Sequence, residues 1–228
     1  MRQGIGIHDP DIQKVLYREH ERAKGDDAKL AQVRPKLDAA RREGKSFTEL
    51  GDLYPKDTYL SVAPEMGHFL YLTARTVGAK RIVEFGTSFG ISTLYLAAAA
   101  REEGGTVISS ELETTKIERA RANLTEAGLS DHVDLREGDA MATLADVEAP
   151  VDLIFLDGWK DLYLPLLDLL EPKLRAGTVV LADNVFTFPQ ELEGYLASVT
   201  SAARPCHSVV LPFSTGLAYS LYMEDPGA

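Results

Sequence analysis

From Arg81 onward, short runs of branched and aromatic residues alternate with segments of helical period, and most of the early runs stop at a carboxylate. RIVEF (81–85), TVISSE (106–111), VDLRE (133–137), VDLIFLD (151–157) and TVVLADN (178–184) read as strands. Between them lie STLYLAAAA, then TTKIERARANLTEAG with Gly128 as its stop, a short helix at 161–170, and PQELEGYLASVTSA. Strands alternating with helices require parallel pairing through crossovers, with helices on both faces. The unbroken apolar runs LIFL and VVLA suit central strands buried on both sides. SVVLPF (208–213) and GLAYSLYM (216–223) are separated only by Ser214 and Thr215, which predicts a hairpin and one antiparallel strand. The expected fold is a Rossmann-like, doubly wound, mostly parallel seven-stranded sheet with an antiparallel C-terminal strand.

Upstream, Ile12, Val15 and Leu16, then Leu30, Val33 and Leu37, fall at helical spacing and predict two helices between residues 9 and 44. The aromatic, turn-rich stretch KSFTELGDLYPKDTYLSVAP reads as a loop crossing the mouth of the domain, and Glu65 to Val77 as a helix. At 228 residues the chain suits one domain, 58–228, with a helical extension over 1–57 packed on it. Thirty-five acidic residues against 24 basic ones leave a net charge of -11, which disfavours nucleic acid and anionic membranes and favours a small-molecule partner. Cys206 is the only cysteine, so no internal disulfide forms. The sequence MRQGIGIHDP lacks the apolar core of a signal peptide, and no stretch nears the ~20 apolar residues of a membrane span. A cytoplasmic location is the expectation.

In a sheet of this kind ligands bind beyond the carboxyl ends of the strands, near the switch in strand order. The first strand ends in Glu84, Phe85, Gly86, Thr87, Ser88, Phe89 and Gly90. Gly86 and Gly90 allow a tight turn and close approach of a ligand. The spacing is not that of a dinucleotide fingerprint, and Glu84 would repel a pyrophosphate but attract an ammonium group. A nucleoside carrying a cation is favoured, with an ordinary glycine turn as the competing reading. Glu111, ending the second strand, is placed to accept from ribose hydroxyls. Asp139 and Ala140 follow the third strand, where an adenine edge can be met. Asp157, Asp183 and Asn184 end two neighbouring apolar strands. Two carboxylates and an amide suit a hard divalent cation, Mg²⁺ before Mn²⁺ or Ca²⁺; helix caps and turns are the alternative for these residue types. Trp159 and Lys160 beside Asp157 read as a substrate wall and a base. Tyr54, Tyr59, Phe186 and Phe188 either cover an acceptor or belong to the core.

In order, VEFGTSFGISTLYLA, SSELE, EGDA, FLDGWKDLY and LADNV resemble the class I S-adenosylmethionine-dependent O-methyltransferases, in the metal-dependent branch of the catechol and caffeoyl-CoA enzymes. The resemblance spans about residues 58 to 223, and VVLPFSTGLAYSLYM resembles the closing hairpin of that family. It implies that Gly86, Ser88 and Gly90 shape the turn around the methionine part of the cofactor, with Glu84 near its ammonium or supporting the turn. Ser92, helped by the backbone near Val62, would hold the methionine carboxylate. Glu111 would bind the ribose, Asp139 and Ala140 the adenine, and Asp157 and Trp159 would border the cofactor. Asp157, Asp183 and Asn184 would be the metal ligands and Lys160 the general base. Gly158 departs from the histidine of the catechol enzyme at this place. The implied reaction is methylation of a small aromatic, vicinal-diol hydroxyl. The N-terminal helices are expected either to mediate a homodimer, as in the caffeoyl-CoA branch, or to cap the pocket. Rival readings are a metal-independent methyltransferase, an NAD-dependent oxidoreductase and a non-catalytic S-adenosylmethionine-binding protein.

Overall fold

A computed structural model describes residues 6–202, 204–213 and 215–226. Helices α1 (Pro10–Ala23), α2 (Asp26–Arg42), α3 (Phe47–Leu50) and α4 (Pro64–Thr76) precede β1 (Arg81–Phe85). The chain then runs through α5 (Ile91–Glu103), β2 (Thr106–Glu111), α6 (Thr114–Glu126), β3 (Val133–Glu137), α7 (Ala140–Thr143), β4 (Val151–Leu156) and α8 (Tyr163–Leu170). It closes with β5 (Leu174–Asp183), α9 (Glu193–Thr200), β6 (Cys206–Leu211) and β7 (Leu217–Tyr222). The sheet order is β3-β2-β1-β4-β5-β7-β6, with β1 to β5 parallel and β7 antiparallel to both its neighbours. This is the expected seven-stranded, mostly parallel sheet.

Period-two alternation explains why the central strands are apolar throughout. Ile82, Leu153, Phe155, Val179 and Leu181 face one layer, with α1, α4 and α5 over them. Val83, Ile154, Leu156, Val180 and Ala182 face the other, under α8 and α9. Neither set sees water, so each strand needs apolar side chains at every position. Helix α5 is buried from Ile91 to Ala100, and its alanines let it lie close between the sheet and α4. The N-terminal helix joins the same layer through Ile12, Val15 and Leu16. Beside them Glu19 is fully buried and accepts from Arg18, Arg22, Arg119 and the Tyr59 hydroxyl. A carboxylate taken out of water needs such partners, and they tie α1, α6 and the chain at Tyr59 together.

Four local expectations are corrected. The stretch after Lys45 is not loop throughout: Ser46 and Glu49 form a reciprocal capping box that starts α3. Strand β5 begins at Leu174, four residues before the apolar run, and α9 is shorter than its sequence pattern. The last two strands are joined by five residues rather than two, since β6 ends at Leu211 and β7 starts at Leu217. Of the two residues assigned to that hairpin turn, Ser214 lies outside the described residues, as do Met1 to Ile5 of the amino-terminal reading. Among the described residues no helix is long and apolar enough to cross a membrane.

Candidate active site

The order of strands reverses between β1 and β4, and their carboxyl ends are level. Phe85 is in register with Leu156, and Leu156 with Ala182. Gly86, Asp157 and Asp183 therefore emerge side by side into one cleft of about 1590 Å³, roofed by α2, α3 and residues 60–66. Gly86 has φ +100°, and a Cβ there would stand 2.8 Å from the Asp157 carbonyl oxygen, so only glycine lets these two strand ends close up.

On the β1–β2 side the acids are tied into the chain. Glu111 accepts from the backbone amides of Ser88 (2.7 Å), Leu112 (2.9 Å) and Glu113 (2.9 Å), and lines the cleft. Ser88 has φ 48° and donates its hydroxyl to the Tyr59 carbonyl, pinning the roof to the turn. Of the two places expected for Glu84, facing the ligand or supporting the turn, its position is the second. It is fully buried beneath the turn, where Oε2 accepts from Thr93 (2.5 Å) and Ser109 (2.6 Å), and burial pushes its carboxyl up. Gly90 is also absent from the cleft wall: its α-carbon faces Ala120 of α6, where a Cβ would sit 3.2 Å from that side chain. Ser92 and Val62 border a small side chamber with Ser88 and Asp157. Asp139 caps α7 by accepting from Met141, and with Ala140 lines the cleft.

The β4–β5 side is different. Lys160 Nζ lies 3.4 Å from Asp157 and donates to the Tyr163 hydroxyl at 2.8 Å. Tyr163 in turn donates to the Asp183 carbonyl at 3.3 Å. Asp183 accepts from the Asn184 amide and the Thr215 hydroxyl, each at 2.7 Å. Asn184 has φ 71°, a conformation asparagine tolerates better than most side chains. Burial, and then the neighbouring Asp183 charge, push Asp157 well above the usual carboxylate range, against the pull of Lys160. Burial raises Asp183 as well. Burial lowers Lys160, opposed by the two aspartates. Two largely covered carboxylates thus face one ammonium, in contact with Asp157 alone, which leaves room for a further positive charge. Among the described residues no trio of His, Cys, Asp or Glu gathers for a metal; the donor set here is two carboxylates with the Asn184 amide, which fits a hard cation that keeps waters.

Trp159 stands between the Phe47 and Tyr54 rings, each 5.7 Å away, and a Cβ on Gly51 would be 2.9 Å from its ring. Tyr54 and Phe188 line the cleft as one reading held. Tyr59 instead packs on Phe89 with its hydroxyl on Glu19, and Phe186 is exposed and off the wall. Residues not singled out also reach the cleft, among them Asp26, Arg41, Phe47, Lys116 and Thr215. Tyr163, fully buried behind this wall as the first residue of α8, carried a readable signal, three residues after Lys160.

A family model described as a methyltransferase domain matches residues 83–185. Catechol O-methyltransferase of Mycobacterium tuberculosis is 35% identical over 127 residues, covering 55% of this chain and 57% of that protein. Caffeoyl-CoA O-methyltransferase 2 of Zea mays is 30% identical over 151 residues, covering 63% and 57%. The matches span less than three fifths of these relatives' length. The O-methyltransferase from Bacillus cereus, solved in complex with SAH, superposes with a TM-score of 0.67 at 26% identity, over 86% of this chain and 91% of that one. The fold is that of solved methyltransferases, and residues 83–185 are similar to a methyltransferase domain. Within that class the chain is similar to the O-methyltransferases of the catechol and caffeoyl-CoA type.

Proposed function

We propose that this protein transfers a methyl group from S-adenosylmethionine to a hydroxyl of a small aromatic diol, with a divalent cation in the site. The observation that carries the reading is the pair of carboxylates after β4 and β5: Asp157, largely covered, and Asp183, buried, line one cleft, and among the described residues Lys160 Nζ, 3.4 Å from Asp157, is the one ammonium in contact with either. The relatives' names support the reaction class. When bound, the cofactor supplies a sulfonium methyl that passes to the acceptor oxygen while the carbon–sulfur electron pair stays on sulfur, and the cation makes the acceptor hydroxyl more acidic.

The chain's own residues do the remaining work. Asp157, Asp183 and Asn184 hold the cation, at strand ends rigid enough to fix its position. Glu111 takes the ribose hydroxyls with the lone pairs its three amides leave free, and Asp139 and Ala140 meet the adenine. Gly86 and Ser88 give the methionine part a flat backbone, and Ser92 with the backbone near Val62 holds its carboxylate. Glu84 supports this turn from below. Lys160, lowered by burial, would be the neutral amine once the cation answers the two aspartates, and would then accept the acceptor's proton at Nζ, with Tyr163 orienting it. Trp159, wedged by Phe47 and Tyr54, excludes water and lies along the acceptor ring.

The test is methyl transfer from labelled S-adenosylmethionine to catechols with Mg²⁺ and with a chelator. Transfer that stops in chelator and returns with Mg²⁺ is expected. Transfer indifferent to chelator would make this a metal-independent methyltransferase, and cofactor binding without transfer a non-catalytic binding protein.

A further inference from the structure

On the cleft wall formed by α2 stands a cation that the described residues leave without a counter-charge. Arg41, in the last turn of α2, lines the cleft with Phe47 and Phe188. Its guanidinium carbon is 5.7 Å from the Phe47 centroid and 5.3 Å from that of Phe188, two rings that meet edge to face at 4.8 Å. Its Nε is buried and finds no acceptor, and Asp38, one turn earlier on the same cleft wall, does not pair with it. Among the described residues, Arg41 makes neither an ion pair nor a side-chain hydrogen bond. Aromatic faces soothe the charge but offer no lone pair in the plane of the guanidinium fork. A donor fork held between two rings and left unanswered is the shape of a receptor for a planar oxyanion.

The position narrows which oxyanion. Lys160 Nζ lies 5.8 Å from the same Phe188 centroid. The two groups therefore stand against one ring, no further apart than a single aromatic acid can span. Resting on the reading above, in which the hydroxyls of the acceptor go to the Lys160 end, we infer that Arg41 binds a carboxylate carried at the other end of that same acceptor. The preferred substrates are aromatic diols with an acid group on the ring or a short side chain, and Arg41 is the residue that tells them from neutral diols.

Trp159 is the only tryptophan and packs on Phe47, so its fluorescence reports filling of this wall without any methyl transfer. Wild type, Arg41→Met and Arg41→Lys are titrated with the catechol carboxylic acid protocatechuate and with its neutral methyl ester. The acid is expected to bind wild type at least about tenfold more tightly than the ester, as a charge-assisted pair would give. Arg41→Met should abolish the difference while leaving ester affinity unchanged, and Arg41→Lys should restore part of it. Equal affinities in wild type, binding of neither probe, or a preference that survives in Arg41→Met overturns the inference. Methyl transfer to protocatechuate and to its ester, measured alongside with Mg²⁺, tests the underlying reaction separately. If that transfer is absent while the acid preference stands, the reaction is refuted and the carboxylate subsite is upheld.

Discussion

Glu111 closes β2 and Asp157 follows β4, in the same sheet and into the same cleft, yet the two carboxylates are held in opposite ways. Three backbone amides converge on Glu111. Asp157 has one ammonium at 3.4 Å and a second aspartate beside it. An acid saturated by its own backbone is part of the scaffold, and fixes the shape of whatever it meets. An acid buried short of donors is waiting for charge from outside. Strand-end acids of identical appearance in sequence thus divide into a shaping half on β1–β2 and a charge-seeking half on β4–β5.

Separating the two halves by mutation gives the largest expected effect. Asp157→Ala should lower the methyl-transfer rate at least about a hundredfold, since loss of even an indirect support to a metal costs that order, while calorimetric cofactor affinity stays within about threefold. Glu111→Ala should do the reverse, weakening cofactor binding about tenfold, as loss of charge-assisted hydrogen bonds does, and keeping most of the rate once cofactor saturates. Equal damage to both properties by either variant would break the comparison.

The smallest effect sharpens it from the far end of β4. Asp152 accepts from the amides of Lys80 (2.8 Å) and Arg81 (2.9 Å) and from the Arg175 guanidinium at 2.6 Å. Burial alone would push its carboxyl up, but these donors outweigh it and hold the group below the usual carboxylate range. A depressed folded-state value means that its stabilisation is present above the unfolded pKa, near ~3.9, and is lost as pH falls through the folded one. Asp152→Asn should therefore cost about 1 kcal/mol at neutral pH in denaturant melts, as one such hydrogen-bonded group is worth. The gap to wild type should begin to narrow as pH falls below about 4 and close only below the depressed folded value, where the wild-type carboxyl is protonated in both states.

The central sheet was legible because each strand obeys one rule along its whole length: Ile82 and Val83, or Ile154 and Phe155, must both be apolar when both faces are covered. The strand-end acids were legible for the complementary reason, that an acid closing such a run has no packing role. What each acid does was not. Glu84 and Glu111 look alike in sequence, and only the register of β1 against β2 puts Glu84 among the hydroxyls of Ser109 and Thr93. Gly90 read as a ligand-facing glycine because closeness to a ligand and closeness to a neighbouring helix demand the same residue. Helix α3 was missed although Ser46 and Glu49 spell a capping box, since four residues are too few to show a period. Arg41 gives no signal at all: on an exposed, charged helix an arginine reads as solvated, and its place between Phe47 and Phe188 depends on contacts 6 and 147 positions away in number.

The wall that carries Arg41, Phe47, Gly51 and Tyr54 is built from α2, α3 and the turn after them, all upstream of β1. The family match begins only at residue 83. On the proposed reading, most of the acceptor wall thus lies in a different stretch of the gene from the strand ends that meet the cofactor. Drift in the first quarter of the coding sequence would then retune which acceptor is taken while the strand ends stay as they are.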